Sequence, residues 1–68
     1  MRLTYDREAD CAYVYLGDIS RSQAVNRTLV CDIELDEGSI NIDFSVEGHV
    51  VGIEFMGASR LLDAGLLT

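Results

Sequence analysis

The segment from residue 40 to residue 55 alternates between apolar and polar side chains, and this alternation is the strongest constraint on the fold. Apolar residues occupy every second position on both sides of a short polar stretch: Ile40, Ile42, Phe44, Val51, Ile53 and Phe55. A period of two places successive side chains on opposite faces of a β-strand. The polar stretch contains Gly48, which suits the positive φ of a two-residue hairpin turn. The segment therefore predicts an antiparallel hairpin with one apolar face.

A second glutamate–glycine pair, Glu37 and Gly38, predicts another two-residue turn just before this hairpin. With that turn, the preceding strand over residues 29–36 places Cys31 opposite Phe44. All three strands then present their apolar residues on the same face, whereas a slip of one residue would destroy the match. We therefore predict a three-stranded antiparallel meander. The same register places Asp32 opposite Asp43 on the other face.

The rest of the chain adds further strands and one helix. Residues 2–5 alternate, and residues 11–16 are apolar on both faces, which is typical of a strand covered on both sides. The tail changes its period near Ser59, whose hydroxyl suits the N-cap of a short helix. The predicted fold is a single α+β domain over residues 1–68. It comprises a small antiparallel sheet of four to five strands, a meander with tight glutamate–glycine turns, plus one short C-terminal helix.

The size and charge of the chain indicate which partners to expect. A chain of 68 residues with 49% hydrophobic residues predicts a homodimer, because small domains often gain stability by oligomerising. The net charge is −7, and the five arginines are scattered. A protein that binds nucleic acids or anionic membranes needs clustered positive charge on its surface. Neither is therefore an expected partner of this chain. The charge is compatible with a basic protein partner, since opposite potentials steer association.

The N-terminus begins directly as a strand, without the apolar core of a signal peptide. No apolar run approaches the roughly 20 residues that span a bilayer. These features predict a cytoplasmic location.

Acidic side chains occupy outward positions of the predicted sheet: Asp32, Glu34, Asp43 and Glu54. Such a face would hold a hard cation, dock a basic partner, or serve only to keep the protein soluble. No loop has EF-hand spacing, so no metal site and no cofactor are predicted. Tyr13 and Tyr15 alternate on one face of their strand, where they belong either to the core or to an interface.

No catalytic constellation can be assembled from the sequence. His49, the only histidine, follows a turn glycine, and Cys11 and Cys31 lie twenty positions apart without a CxxC motif. Ser59 lies in GASRL, which is not the GxSxG nucleophile elbow. The chain is therefore predicted not to be an enzyme.

Two stretches, TYDREADCAYVYL and INIDFSVEGHVVGIEFMGAS, resemble the YuzE-like family of small prokaryotic proteins, a domain of unknown function. The most specific positions of this resemblance are Tyr5, Asp6, Glu8, Ala9, Asp10, Gly52, Ile53, Glu54, Ala58 and Ser59. The resemblance implies a compact α+β domain in a bacterial or phage cytoplasm, with no established activity and no catalytic residues. Some members resemble the smaller partner of toxin-like proteins, which also implies an antitoxin-like role.

Two functions stay open from the sequence. The first is a non-enzymatic protein-interaction module that binds a basic partner, with the acidic face and the two tyrosines, Tyr13 and Tyr15, as contact surfaces. The alternative is a small ligand- or divalent-metal-binding domain that uses Asp32, Asp43 and Glu54.

Overall fold

Five strands and two short helices make up the computed structural model, which describes residues 1–17, 24–31 and 38–67. The elements in chain order are β1 (Arg2–Asp6), β2 (Cys11–Tyr15), β3 (Arg27–Cys31), β4 (Ser39–Phe44), β5 (Val50–Met56), α1 (Ala58–Leu61) and a 3₁₀ helix, η1 (Ala64–Leu66). The strands form one antiparallel sheet in the order β1-β2-β5-β4-β3. The predicted α+β fold, with an antiparallel sheet and a short C-terminal helix, is confirmed. Within the described ranges, neither helix has the length and apolar character of a membrane span.

The pairing between β4 and β5 follows the predicted register over most of its length. Ile42 lies opposite Ile53, and Ile40 lies opposite Phe55. Alternation and the short loop were together sufficient to predict this register, because the two strands are adjacent in sequence.

The loop between β4 and β5 has three residues rather than the predicted two. The Ser45 N–H donates to the His49 carbonyl over 2.8 Å, and the Gly48 N–H donates to the Ser45 carbonyl over 2.9 Å. Gly48 has a φ of 85°, as expected for a glycine that ends a three-residue loop. The extra residue shifts the pairing, so that Phe44 lies opposite Val50 and not opposite the following residue.

The predicted register between β3 and β4 is wrong by four residues. Cys31 lies opposite Ile40, and Arg27 occupies the place opposite Phe44 that was predicted for Cys31. A shift of four residues keeps every side chain on its own face, so the alternation could not distinguish the two registers. Glu37, half of the predicted turn, lies outside the described residues.

Gly38 is described, and it does not have the positive φ expected of the predicted turn. The reason for a glycine here is the space that a side chain would need. A Cβ on Gly38 would lie 2.5 Å from the Met56 carbonyl oxygen and 2.9 Å from Leu61 Cδ1. Gly38 therefore allows the start of β4 to approach β5 and α1 closely.

Two rows of mostly apolar side chains cross all five strands on one face of the sheet, which we call the apolar face. The first row consists of Leu3, Val14, Ile53, Ile42 and Leu29. The second row consists of Tyr5, Ala12, Phe55, Ile40 and Cys31. Ala58 of α1 and Leu67, the residue after η1, form a buried cluster with Ala12 of the second row. Further side chains that pack against this cluster are Tyr5, Phe55 and Leu62.

The start of α1 differs from the prediction that Ser59 is its N-cap. The N-cap is Gly57, which has no side chain to cap the helix, and Ser59 lies inside α1. Asp10, from the turn between β1 and β2, takes over the role of the cap. Its carbonyl accepts hydrogen bonds from the N–H groups of Gly57 and Ala58, over 2.9 and 2.8 Å. The first N–H groups of a helix have no acceptor within the helix. Here a residue far away in the sequence accepts two of these hydrogen bonds.

Candidate functional site

The face of the sheet opposite the apolar face carries most of the predicted site residues, and we call it the polar face. One of its rows consists of Arg2, Tyr15, Gly52, Asp43 and Thr28. The next row consists of Thr4, Tyr13, Glu54, Asn41 and Val30. The fold thereby brings four of the six predicted residues onto one surface: Tyr13, Tyr15, Asp43 and Glu54. The other two, Asp32 and Glu34, lie outside the described residues.

The side chain of Tyr13 reaches across β5 to the neighbouring strand. Its hydroxyl donates a hydrogen bond of 2.5 Å to Oδ2 of Asp43. The ring passes over Gly52, and a Cβ at that position would overlap the ring. Gly52 therefore provides the space for a hydrogen bond between β2 and β4. An interior glycine of a strand often marks such a close approach, and this signal was available in the sequence.

The second oxygen of Asp43 is held from the other side. The Thr28 hydroxyl donates to Oδ1 of Asp43 over 2.6 Å. Thr28 occupies the position opposite Asp43 that the predicted register had assigned to Asp32. The carboxylate of Asp43 thus faces a hydroxyl donor instead of a like charge, which removes the repulsion expected between paired acids.

The environment of Tyr13 keeps its phenol protonated. Partial burial raises the pKa of Tyr13 above its ordinary value, and the hydrogen bond to Asp43 and the charge of that carboxylate raise it further. At neutral pH, Tyr13 is therefore a hydrogen-bond donor rather than a base. This hydrogen bond fixes the direction of the Asp43 carboxylate.

Glu54 is held by a neighbour in its own row. The Asn41 side-chain amide donates to Oε1 of Glu54 over 3.1 Å. The same amide lies 3.6 Å from the sulfur of Met56. Among the described residues, the Asn41 carbonyl oxygen is buried without a hydrogen-bond partner. Sequence reasoning missed both Asn41 and Thr28, because their roles depend on which residues lie opposite them.

The two tyrosines form an aromatic pair on the polar face. Their ring centroids are 4.7 Å apart, and the ring planes are tilted by 55°. Tyr15 is 42% exposed. Two aliphatic side chains on the same face are also exposed, namely Val30 at 63% and Met56 at 43%. The polar face therefore combines two carboxylates with accessible aromatic and aliphatic surface.

The remaining candidate groups of the sequence are dispersed. In the described part of the chain, no group of three or more histidine, cysteine, aspartate or glutamate side chains could hold a metal ion. Cys11 and Cys31 are free thiols on opposite faces of the sheet. His49 lies at the end of the β4–β5 loop and is exposed. These three residues do not converge on the polar face.

A second group of hydrogen bonds lies at the turn between β1 and β2. The Asp10 carboxylate accepts from the Tyr5 hydroxyl over 2.7 Å. It also accepts from the Ser59 N–H and the Ser59 hydroxyl, over 2.9 and 2.7 Å. Asp10 has a φ of 54°, a conformation that aspartate and asparagine adopt more readily than most residues. We call Tyr5, Asp10 and Ser59 the Asp10 clasp, and its role is to fasten α1 to the first hairpin.

Comparison with known proteins assigns the chain to one family. A family described as "Protein of unknown function (DUF2283)" matches residues 2–59. Because this match spans most of the chain, the protein belongs to that family. The matched range includes all five strands, the polar face and the Asp10 clasp. No curated protein and no solved structure matches the chain.

Proposed function

We propose that this member of the DUF2283 family is a non-enzymatic protein-interaction module whose polar face binds a basic segment of another protein. The observation that carries the proposal is the hydrogen bond between Tyr13 and Asp43 across Gly52. It holds an aromatic pair and a carboxylate in a fixed arrangement on one exposed surface. A surface that is ordered before binding loses less entropy when a partner docks.

The chemistry of the polar face suits arginine. A carboxylate offers about four lone-pair sites, and the two hydroxyls on Asp43 use one site on each oxygen. At its remaining sites the carboxylate can accept from a guanidinium group, which forms charge-assisted hydrogen bonds with carboxylates. The ring of Tyr15, 42% exposed, offers a surface on which a guanidinium group stacks.

Exposed aliphatic groups add to this surface. Val30 and Met56 flank the acidic and aromatic residues on the same face. Interfaces between proteins combine aromatic residues and methionine with a polar rim, and the polar face has this composition. The net charge of −7 steers a basic partner towards the chain over a longer range.

The resemblance to YuzE-like proteins supports a particular form of this function. Some of those proteins resemble the smaller partner of a toxin, and an acidic chain suits a basic toxin. We therefore propose an antitoxin-like role in the cytoplasm as the specific form of the interaction.

Affinity capture with matched variants tests the proposal. The tagged chain is incubated with extract of its native cells at low salt, and captured proteins are identified by mass spectrometry. The test variant is Glu54→Gln, which keeps an acceptor for Asn41 but removes the charge. The control is Glu47→Gln, the same change in the exposed β4–β5 loop.

We expect one basic, stoichiometric partner that binds the Glu54→Gln variant about tenfold more weakly, because a hydrogen bond to a charged group contributes about 1.5 kcal/mol. The Glu47→Gln variant should bind as the unmodified chain does. Equal losses in both variants, or a partner that is not basic, would contradict the proposed use of the polar face.

A further inference from the structure

The first row of the apolar face is poorly covered. It consists of five aliphatic side chains, one from each strand, and none of them is buried. Leu29, on the edge strand β3, is 54% exposed. The buried cluster of Ala12, Ala58 and Leu67 belongs to the second row, where Tyr5 and Phe55 pack against it. Among the described residues, no large side chain is fully buried.

We infer that two copies of the chain pack with their apolar faces against each other. A sheet with one apolar face is stable when a second layer covers that face. A second copy provides such a layer, because the same surface on both subunits forms a self-complementary twofold interface. The two sheets then meet through their first rows, beside the residues Ala58 and Leu67 that pack on the second row.

The chain exposes more surface than a compact monomer of its mass. Its exposed area is 4994 Å², whereas a compact monomer of the same mass exposes about 4,250 Å². A larger exposed area is expected of a sheet whose apolar face lacks a covering layer. The five side chains of the first row lie on the surface that the interface would cover.

Charge also favours this arrangement. Among the described residues, neither row of the apolar face contains a charged residue, so these rows bring no carboxylates together when two chains of net charge −7 meet. The nearest charged group on β3 is Arg27, whose guanidinium carbon lies 4.8 Å from the ring centroid of Phe44. The polar face, with Asp43 and Glu54, remains on the outside of both subunits. The inferred dimer therefore does not depend on the function proposed for the polar face.

Two neighbouring residues of β3 provide a matched test. Leu29 belongs to the apolar face and Val30 to the polar face, and both are more than half exposed. The full chain and the variants Leu29→Glu and Val30→Glu are compared by light scattering after size exclusion, with circular dichroism as the test of folding. We expect twice the 7.5 kDa chain mass for the unmodified chain and for Val30→Glu. Leu29→Glu should be folded and have half that mass.

The native cysteines give a second test that needs no substitution. Cys31 lies in the second row of the apolar face, and Cys11 lies on the polar face. Alkylation of each thiol is followed by peptide mass spectrometry as the protein is diluted. We expect alkylation of Cys31 to accelerate as the dimer dissociates, while alkylation of Cys11 keeps its rate. Three results would overturn the inference. The first is a monomer at all concentrations, and the second is dissociation caused by Val30→Glu but not by Leu29→Glu. The third is an equal change of the alkylation rate at both thiols.

Discussion

The ring of Tyr13 occupies the space that a side chain on Gly52 would need. Tyr13 lies on β2 and Gly52 on the neighbouring strand β5. The ring extends past Gly52 to the carboxylate of Asp43 on β4. The absence of a side chain at one position thus determines the path of a side chain at another. This relationship explains why a glycine interrupts an otherwise well-formed strand.

Replacement of Gly52 by alanine should therefore destabilise the protein. The new Cβ would overlap the Tyr13 ring, and moving the ring would break its hydrogen bond to Asp43. We expect a loss of about 2 kcal/mol in the free energy of unfolding, measured by urea denaturation. In a Tyr13→Ala background, most of this loss should disappear, because the ring that causes the overlap is absent. An unchanged loss in that background would show that the Tyr13 ring is not the cause.

Removal of the Tyr13 hydroxyl should have an effect that depends on pH. The Tyr13→Phe variant lacks the donor to Asp43, and at pH 8 we expect it to be about 1 kcal/mol less stable than the unmodified chain. Because the pKa of Tyr13 is raised in the folded state, this contribution is complete below the unfolded pKa of about 10. It declines as the pH rises above that value.

Urea denaturation between pH 8 and pH 11 measures the difference between the two proteins. Tyr15→Phe removes a hydroxyl from the exposed ring of the same strand and serves as the control. The difference in free energy of unfolding between Tyr13→Phe and the unmodified chain should shrink above pH 10. An increase there would contradict a raised pKa of Tyr13.

The Asp10 clasp should determine part of the acid sensitivity of the fold. The hydrogen bond from Tyr5, followed by that from the Ser59 hydroxyl, lowers the pKa of Asp10. A lowered pKa contributes stability above the unfolded value of about 3.9, and this stability is lost as the pH falls through the folded value. We expect Asp10→Asn, which tolerates the positive φ, to have a lower melting temperature at pH 7 and a weaker dependence on pH below 4.

Two further variants complete this test. Asp10→Ala should melt lower than Asp10→Asn, since alanine neither accepts the hydrogen bonds nor suits the backbone conformation. Glu47→Gln removes an exposed charge and should keep the acid sensitivity of the unmodified chain. If Asp10→Asn lost as much stability at low pH as the unmodified chain does, the Asp10 clasp would not be the cause of the acid sensitivity.

The close packing of α1 on the sheet predicts a strong effect at Ala58, whose exposure is 0%. Ala58→Leu would force a larger side chain between Ala12 and Leu67. Such overpacking costs about 1–3 kcal/mol, measured as the change in the free energy of unfolding. Ala64→Leu makes the same change at an exposed position of η1 and should cost much less. Similar losses at both positions would contradict the packing described for α1.

The β4–β5 pairing was predictable because it depends on a short loop and on alternation, both of which are local. The β3–β4 register was not, because a shift by four residues preserves the face of every side chain. Selecting between such registers depends on individual contacts, such as that of Thr28 with Asp43, which the apolar pattern does not encode.

The fold brings four of the predicted site residues onto the polar face, but their arrangement there could not be predicted from the sequence. Tyr13 and Glu54 were each predicted as site residues, on separate grounds. That they lie directly opposite each other follows from the pairing of β2 with β5, which are far apart in sequence. Asp10 gave no signal of its capping role, since the donors it satisfies belong to a helix at the other end of the chain.

The strand order also has a consequence for how fast the chain folds. The β1–β2 hairpin and the β3–β4–β5 meander each close short loops, whereas pairing β2 with β5 closes a loop of roughly 40 residues at a much larger entropic cost. Two locally formed halves must therefore meet along a single seam, and we expect that meeting to be the slow step. The bonds between Asp10 and Ser59 lie at one end of this seam, where they fasten the two halves once they have met.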